Sequence, residues 1–191
     1  WSSVYLETIA AGYGAHNKMD AMEGAHCHIT NSLNMPVEAV EHEYPLMVEE
    51  YCLINGSSGS GRMRGGMGVA REVRALSDDT TFSGRADSFI TAAEGYDGGL
   101  PGSHCRIIRN FGSQNEIVMA PKQRLISLTA GERIRMETPG GGGLGAPSDR
   151  SIDDLAVDLE DQRISVARAR LDYGNELTEK ALKIISKSNP E

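Results

Sequence analysis

Cysteine is scarce, with Cys27, Cys52 and Cys105 standing singly and without the paired spacings of a disulfide framework or a zinc ribbon. That pattern predicts a reduced, cytoplasmic chain. Aromatic residues make up only 5% of the composition, so any core must be assembled mainly from aliphatic side chains and tight backbone packing. No apolar run approaches the roughly 20 residues needed to span a bilayer, and the opening residues lack the basic start and apolar core of a secretory leader. Basic charge is in deficit as well. Nineteen Lys and Arg face 27 Asp and Glu, a formal charge of −8 that repels nucleic acid and anionic lipid.

What is abundant is glycine, at 22 of 191 residues, which favours strands and turns over a helical bundle. The length allows one substantial core. The expected architecture is α+β, mainly antiparallel β-sheet with glycine-rich loops and a helical C-terminal segment. Its expected division is a β-rich domain over 1–147 and a helical appendage over 148–191. The first residue is Trp1 and the chain enters directly on strand-like Val4 to Ile9. This suggests a processed piece, a separately encoded subunit or an excised segment.

Local pattern fixes several elements. Pro36 near a first helical position starts a short helix through Glu41. Tyr44 to Ile54 alternates like a half-buried strand, and Gly68 to Leu76 suits a second. Between them, Gly56 to Gly61 reads as too flexible to hold structure alone. Residues 77–103 read as a long irregular loop. His104 to Arg109 and Glu116 to Ala120 flank a hairpin turn, and Arg124 to Leu128 and Arg133 to Thr138 flank the turn Thr129 to Glu132. Ser151 and Ser165 occupy helix-capping positions. Gly174 closes the second helix, and a third runs from Glu176 to Ser186.

The densest chemistry lies in residues 12–34, where His26, Cys27, His28, Thr30, Asn31 and Asn34 crowd between glycine turns. His26-x-His28 in extended backbone puts both rings on one side, a pair that zinc, manganese or iron accepts, with Asp20 or Glu23 as an oxygen donor. The plainer and favoured reading is that the two rings hydrogen-bond the surrounding loop and shape it. Cys27 points the other way and reads as a structural thiol. Gly140 to Gly143, with Gly145, formally contains a dinucleotide fingerprint, but Ala146-Pro147-Ser148 separates it from any helix N-terminus. The run instead lets backbone pass close to another surface, a substrate or a partner. Arg62 and Arg64 offer two guanidinium forks for a carboxylate or phosphate, against the plainer reading of a solvated strand edge.

Taken in order, these motifs resemble the hydantoinase B/oxoprolinase family. The matching residues are Tyr5-x-Glu7-Thr8-Ile9, Gly12-x-Gly14, Gly24-x-His26-x-His28-x-Thr30-Asn31-x-x-Asn34-x-Pro36-x-Glu38 and Tyr44-Pro45-Leu46. Further along come Gly59-x-Gly61-Arg62-x-Arg64-Gly65-Gly66-x-Gly68, Gly98-Gly99-x-Pro101-Gly102 and Glu137-Thr138-Pro139 followed by the glycine run. The resemblance covers the C-terminal part of the B-type subunit of ATP-dependent hydantoinases, 5-oxoprolinases and lactamases, which are related to acetone and acetophenone carboxylases. Between Arg85 and Gly95 the chain lacks the Pro-Pro stretch usual in that family.

The resemblance implies a cytoplasmic, multi-subunit, ATP-dependent hydrolase of a cyclic amide or imide, with this chain inactive alone. It implies a hydantoinase-A-like partner that binds ATP and Mg, and the N-terminal half of the B-type subunit as another chain or a missing segment. The substrate is a small molecule, with no nucleic acid or membrane partner. It places His26 and His28 as catalytic residues and Thr30, Asn31, Asn34 and Gly140 to Gly143 (Gly140, Gly141, Gly142, Gly143) as substrate-binding. Arg62 and Arg64 are assigned to an anion. Zn, Mn or Fe near the pocket would take its ligands mostly from the upstream half, with none in this chain as first choice. The alternatives are a ketone carboxylase component and a non-catalytic scaffold.

Overall fold

The computed structural model describes residues 3–27 and 29–188. Strands β1 (Leu46–Leu53), β2 (Val69–Ala75), β4 (Arg106–Arg109), β5 (Ile117–Val118) and β7 (Arg133–Glu137) form an antiparallel five-stranded sheet in the order β1-β2-β7-β4-β5. Strands β3 (Thr80–Arg85) and β6 (Lys122–Leu128) pair separately. Helix α1 (Val37–Glu43) precedes β1. Helices α2 (Ile152–Glu160), α3 (Val166–Tyr173) and α4 (Asn175–Ser188) follow the β region. The α+β architecture is as the sequence predicts.

Strand alternation assigns each sheet face a role. Ala75, Ile107 and Ile134 are buried with Leu128 of β6, and Phe82 and Ile126 of the β3–β6 pair pack against them, so the two-stranded unit covers one face of the large sheet. On the other face, Glu50, Glu72 and Arg135 lie in register across three strands, and Arg135 also holds Glu137 at 2.8 Å. The helices bury a small core of their own, made of Leu155, Ala156, Ile164, Ala169, Tyr173 and Ala181.

Three expectations about strands need correction. Val4 to Ile9 forms no strand: the segment has no regular structure and joins neither sheet. The region 77–103 contains β3, whose partner β6 lies far along the chain, so local pattern gave no sign of the pairing. For the same reason β6 and β7 do not form the hairpin suggested by the Thr129–Glu132 turn; β7 inserts between β2 and β4 instead.

That turn nevertheless has strong chemistry. The Glu132 carboxylate accepts from the Thr129 N–H at 2.8 Å and from Asn110 Nδ2 at 3.4 Å, and forms an ion pair with Arg109. The Arg109 hydrogen bond is the main reason its pKa falls to about 2. A carboxyl depressed in the folded state adds stability above its unfolded pKa, and that stability is lost as pH falls toward the folded value. Glu132→Gln is therefore expected to lower stability at neutral pH and flatten the acid limb between about pH 4.5 and 2, read from urea midpoints across that range.

The rest of the fold belongs to neither helix nor sheet. Residues 139–145 run through the interior, surrounded by extended segments at 12–15, 57–61, 64–68, 93–96 and 99–103. The backbone hydrogen bonds of the run go outward to many neighbours: Gly141 N–H to Gly66 O, Gly59 N–H to Gly141 O, Ala15 N–H to Gly142 O, Gly143 N–H to Leu100 O, Tyr96 N–H to Gly143 O. Contacts recur every third residue. A methyl added at Gly140 would lie 2.0 Å from Ser57 O and one at Gly143 2.3 Å from Ser60 O, whereas at Gly141 it would strike Tyr13 O and at Gly142 Glu94 O. Three residues per turn without internal hydrogen bonds is the geometry of a polyproline-II helix. Here such segments bundle into a lattice in which only hydrogen fits between neighbouring backbones.

The segment 57–60, read from composition as flexible, is therefore buried and ordered within this lattice. Flexibility of an isolated glycine chain says nothing about one whose polar groups are satisfied on several sides.

Candidate functional site

The histidine loop is anchored around a buried ion pair on β2. Arg71, 1% exposed, places Nε 2.5 Å from Glu7 Oε2, donates through Nη2 to the Tyr5 hydroxyl at 3.2 Å, and lies 4.6 Å from the ring centroid of Tyr51, its cross-strand partner. Asn34 ties the loop to this centre. Its Nδ2 donates to Glu7 Oε1 at 2.8 Å and to Thr8 O at 3.0 Å, while its Oδ1 accepts from the Tyr51 hydroxyl at 2.7 Å. Burial, with the neighbouring Glu7 hydrogen bond, pushes the Tyr5 phenol up to about 12, and burial raises Tyr51 as well. Both tyrosines therefore remain neutral donors.

His26 Nε2 lies 3.1 Å from Thr8 O, a carbonyl that can only accept, so the neutral ring carries its proton on Nε2. This leaves Nδ1 as the basic nitrogen. Thr30 Oγ1 donates to Cys27 O at 3.0 Å and folds the loop tip, where Thr30 and Asn31 are exposed and Asn31 adopts a positive φ of 23°. Ile29 and Leu33 beside them are 102% and 97% exposed. The assignment of His28 falls outside the described residues. The loop's interior residues are thus fixed on a rigid base while its tip projects outward.

A cavity of about 500 Å³ lies elsewhere, lined by Gly14, Asn17, Arg62, Tyr96 and the backbone of Gly142 to Leu144. Arg62 donates to the Asn17 carbonyl at 3.3 Å and to Asn17 Oδ1 at 3.2 Å. Among the sequence candidates, then, Arg62, Gly142 and Gly143 meet at one cavity, whereas Gly140 and Gly141 are lattice interior. His26, Thr30, Asn31 and Asn34 line neither this cavity nor the second one described next.

Arg64 does not join Arg62 as an anion fork. It is buried, with Nε 3.0 Å from Asp158 and Nη2 3.0 Å from Glu23. Arg150 reaches Asp20 at 2.8 Å and also Asp158, and Arg163 pairs with Glu23. Three carboxylates and three guanidiniums thus interlock where α2 meets the glycine lattice, beside a cavity of about 300 Å³. Burial is the largest single influence and would raise the Asp20 pKa, but the hydrogen bonds and charges of Arg150 and Arg64 together outweigh it and hold the pKa low. Among the described residues no group of three His, Cys, Asp or Glu side chains is arranged to hold a metal, and Asp20 and Glu23 are already neutralised by arginines. The described donors alone do not make a metal centre.

Glu7, Arg71 and Tyr51 are the residues that reading by motif missed as site components. One signal was available: an arginine in the middle of a strand needs a carboxylate partner wherever the strand is covered, and Glu7 lies on an earlier segment.

Known proteins share both the sequence and the fold. The family model described as Hydantoinase B/oxoprolinase matches residues 2–147. The B component of a putative D-/L-hydantoinase from a Pseudomonas species is 33% identical over 177 residues, covering 92% of this chain and 30% of that protein. The crystal structure of an ATP-dependent caprolactamase from Pseudomonas jessenii superposes with a TM-score of 0.73 at 26% identity, over 92% of this chain and 32% of that one. A nucleotide-free acetone carboxylase structure superposes with a TM-score of 0.75 at 19% identity, over 94% of this chain and 30% of that one, a likeness of fold alone. The chain therefore spans about a third of the length of these proteins.

Proposed function

The chain belongs to the hydantoinase B/oxoprolinase family, and on that premise we propose that it is one component of an ATP-dependent enzyme that opens a cyclic amide or imide. The observation that carries this reading is the 33% identity to the B component of a putative hydantoinase across 92% of the chain. The ketone-carboxylase alternative has only a shared fold at 19% identity behind it.

The chemistry requires a division of labour. A lactam or hydantoin carbonyl is a poor electrophile, and phosphorylating its oxygen in an ATP-binding partner lets water add to the carbon; the C–N bond then breaks as the ring nitrogen takes a proton, and a second water hydrolyses the resulting acyl phosphate to release phosphate. This chain contributes the anchored loop. The Nδ1 of His26 is a base held at a fixed position, and Asn34 with Tyr51 keeps the loop from moving when substrate arrives.

The loop tip faces outward and lines neither cavity, so the reaction pocket is completed by another chain or by the N-terminal part of the B-type subunit. Exposed Val4, Leu6, Ile29 and Leu33 supply an apolar surface for that contact.

The test is ATP turnover by the complex reconstituted with its ATP-binding partner, with hydantoin, 5-oxoproline, caprolactam, or acetone plus bicarbonate. A cyclic amide is expected to stimulate phosphate release. Stimulation by acetone and bicarbonate alone would assign the carboxylase reading instead. In the same assay His26→Ala is expected to lower kcat by roughly 10²-fold with assembly intact. Unchanged turnover would leave the loop a scaffold.

A further inference from the structure

Of the 22 glycines, Gly14 alone has neither a positive φ nor a neighbouring atom within 4 Å of where a Cβ would sit. Its backbone conformation does not demand glycine, and nothing in the described chain crowds it. Yet it lies within the lattice. Gly12 N–H donates to Pro139 O and Ala15 N–H to Gly142 O, so residues three apart both face the central run. Tyr13 faces another way, its N–H donating to Met22 O and its C=O accepting from Gly66 N–H. With three residues per turn, Gly14 occupies the remaining direction, and that direction opens into the cavity of about 500 Å³. Neither its N–H nor its C=O has a hydrogen-bond partner among the described residues.

A second feature of the same cavity points to the same occupant. Tyr96 is 78% exposed, although its backbone is firmly held: its N–H donates to Gly143 O at 2.9 Å and its C=O accepts from Gly99 and Gly145 N–H at 3.0 Å each. An aromatic ring fixed on a rigid base beside a groove is the arrangement that grips polyproline-II segments in other proteins.

We infer that this cavity seats one further extended, glycine-containing polypeptide segment, from a partner chain or another part of the assembled enzyme, which continues the lattice over Gly14. The segment packs a glycine of its own against Gly14, pairs with the free N–H and C=O there, and lies along the Tyr96 ring. Its role is assembly, independent of which reaction the complex performs.

The probe is a capped peptide of three Gly-Gly-Pro repeats, in which proline presets the extended helix and glycine permits close approach. The control has three Ala-Ala-Pro repeats, with the same backbone preference and a methyl in place of each hydrogen. Titrated into the isotope-labelled chain to about 1 mM, the glycine peptide is expected to shift the Gly14 and Ala15 amide resonances, and the alanine peptide to leave them in place. Gly14→Val is expected to weaken the glycine peptide at least tenfold while the thermal midpoint of the chain stays unchanged, because the added side chain meets open space. Equal response to both peptides, no movement of Gly14, or full binding by Gly14→Val would each overturn the inference. So would a hydantoin titration that moves Gly14 when the peptide does not, which would make the cavity a small-molecule site.

Discussion

Gly141→Ala is expected to abolish cooperative folding. The added methyl would lie 1.8 Å from the Tyr13 carbonyl oxygen, far inside contact distance, and the obstructing atom is backbone. A side chain could rotate aside, but Tyr13 cannot: its carbonyl accepts from Gly66 and its N–H donates to Met22, so any shift passes to two further segments. Overpacking an ordinary core costs about 1–3 kcal/mol because side chains yield. Here the neighbours are backbones fixed by hydrogen bonds, and the cost is expected to exceed ~4 kcal/mol, comparable to the whole stability of many domains. Urea titration followed by circular dichroism, together with amide NMR dispersion, would read the loss. A cooperative transition within about 1 kcal/mol of the parent would show the lattice to be far more compliant than its geometry implies. The contrast with Gly14→Val, expected to be silent for stability, separates lattice packing from a general intolerance of substitution.

Arg150→Ala is the second large effect. Arg150 is fully buried at its side chain, and its guanidinium is shared between Asp20 and Asp158. Removing it leaves two carboxylates with one positive neighbour fewer in a setting where Asp158 is 3% exposed. Breaking a buried ion network in this way typically costs about 3–5 kcal/mol, mostly as the penalty of the uncompensated charge. The expected result is a urea midpoint lowered in proportion, with hydrogen exchange accelerating first in α2, which carries Asp158. The double variant Arg150→Met with Asp158→Leu should recover much of the loss, because it removes charge from both sides. If Arg150→Ala alone changes stability by less than about 1 kcal/mol, water reaches the cluster and it does not hold the helices to the lattice.

Elements whose determinants are local were legible in the sequence. Ser151 Oγ accepts from the Asp154 N–H, and Ser165 Oγ from the Arg168 N–H, as their capping positions predicted. Gly174 ends α3 with a φ of 84°. Strand β1 followed from alternation and β2 from its β-branched and charged residues. What failed depended on distant partners. Val4 to Ile9 shows strand-like alternation, yet the apolar side chains of Val4 and Leu6 are 84% and 88% exposed, and Glu7 points inward to Arg71. Gly56 to Gly61 and Gly140 to Gly143 each look unstructured alone, since composition reports the entropy of a free chain and not the presence of matching segments around it. The same limit applied to the arginines. Arg62 and Arg64 are two residues apart in sequence, but one lines a cavity and the other is enclosed by carboxylates from Asp158 and Glu23.

The lattice also has a kinetic implication. Residue 12 meets 139, residue 59 meets 141, and residue 100 meets 143, so most of its bonds join segments far apart in the chain. Forming any one of them closes a long loop before neighbouring contacts can offset the entropy. A polypeptide emerging in order from its N-terminus can join residue 13 to residues 22 and 66 early, but the bonds of residues 12 and 15 wait until the run at 139–145 has been made. Refolding of this chain should be slow for its size, and its rate should fall before its stability does when that central run is disturbed.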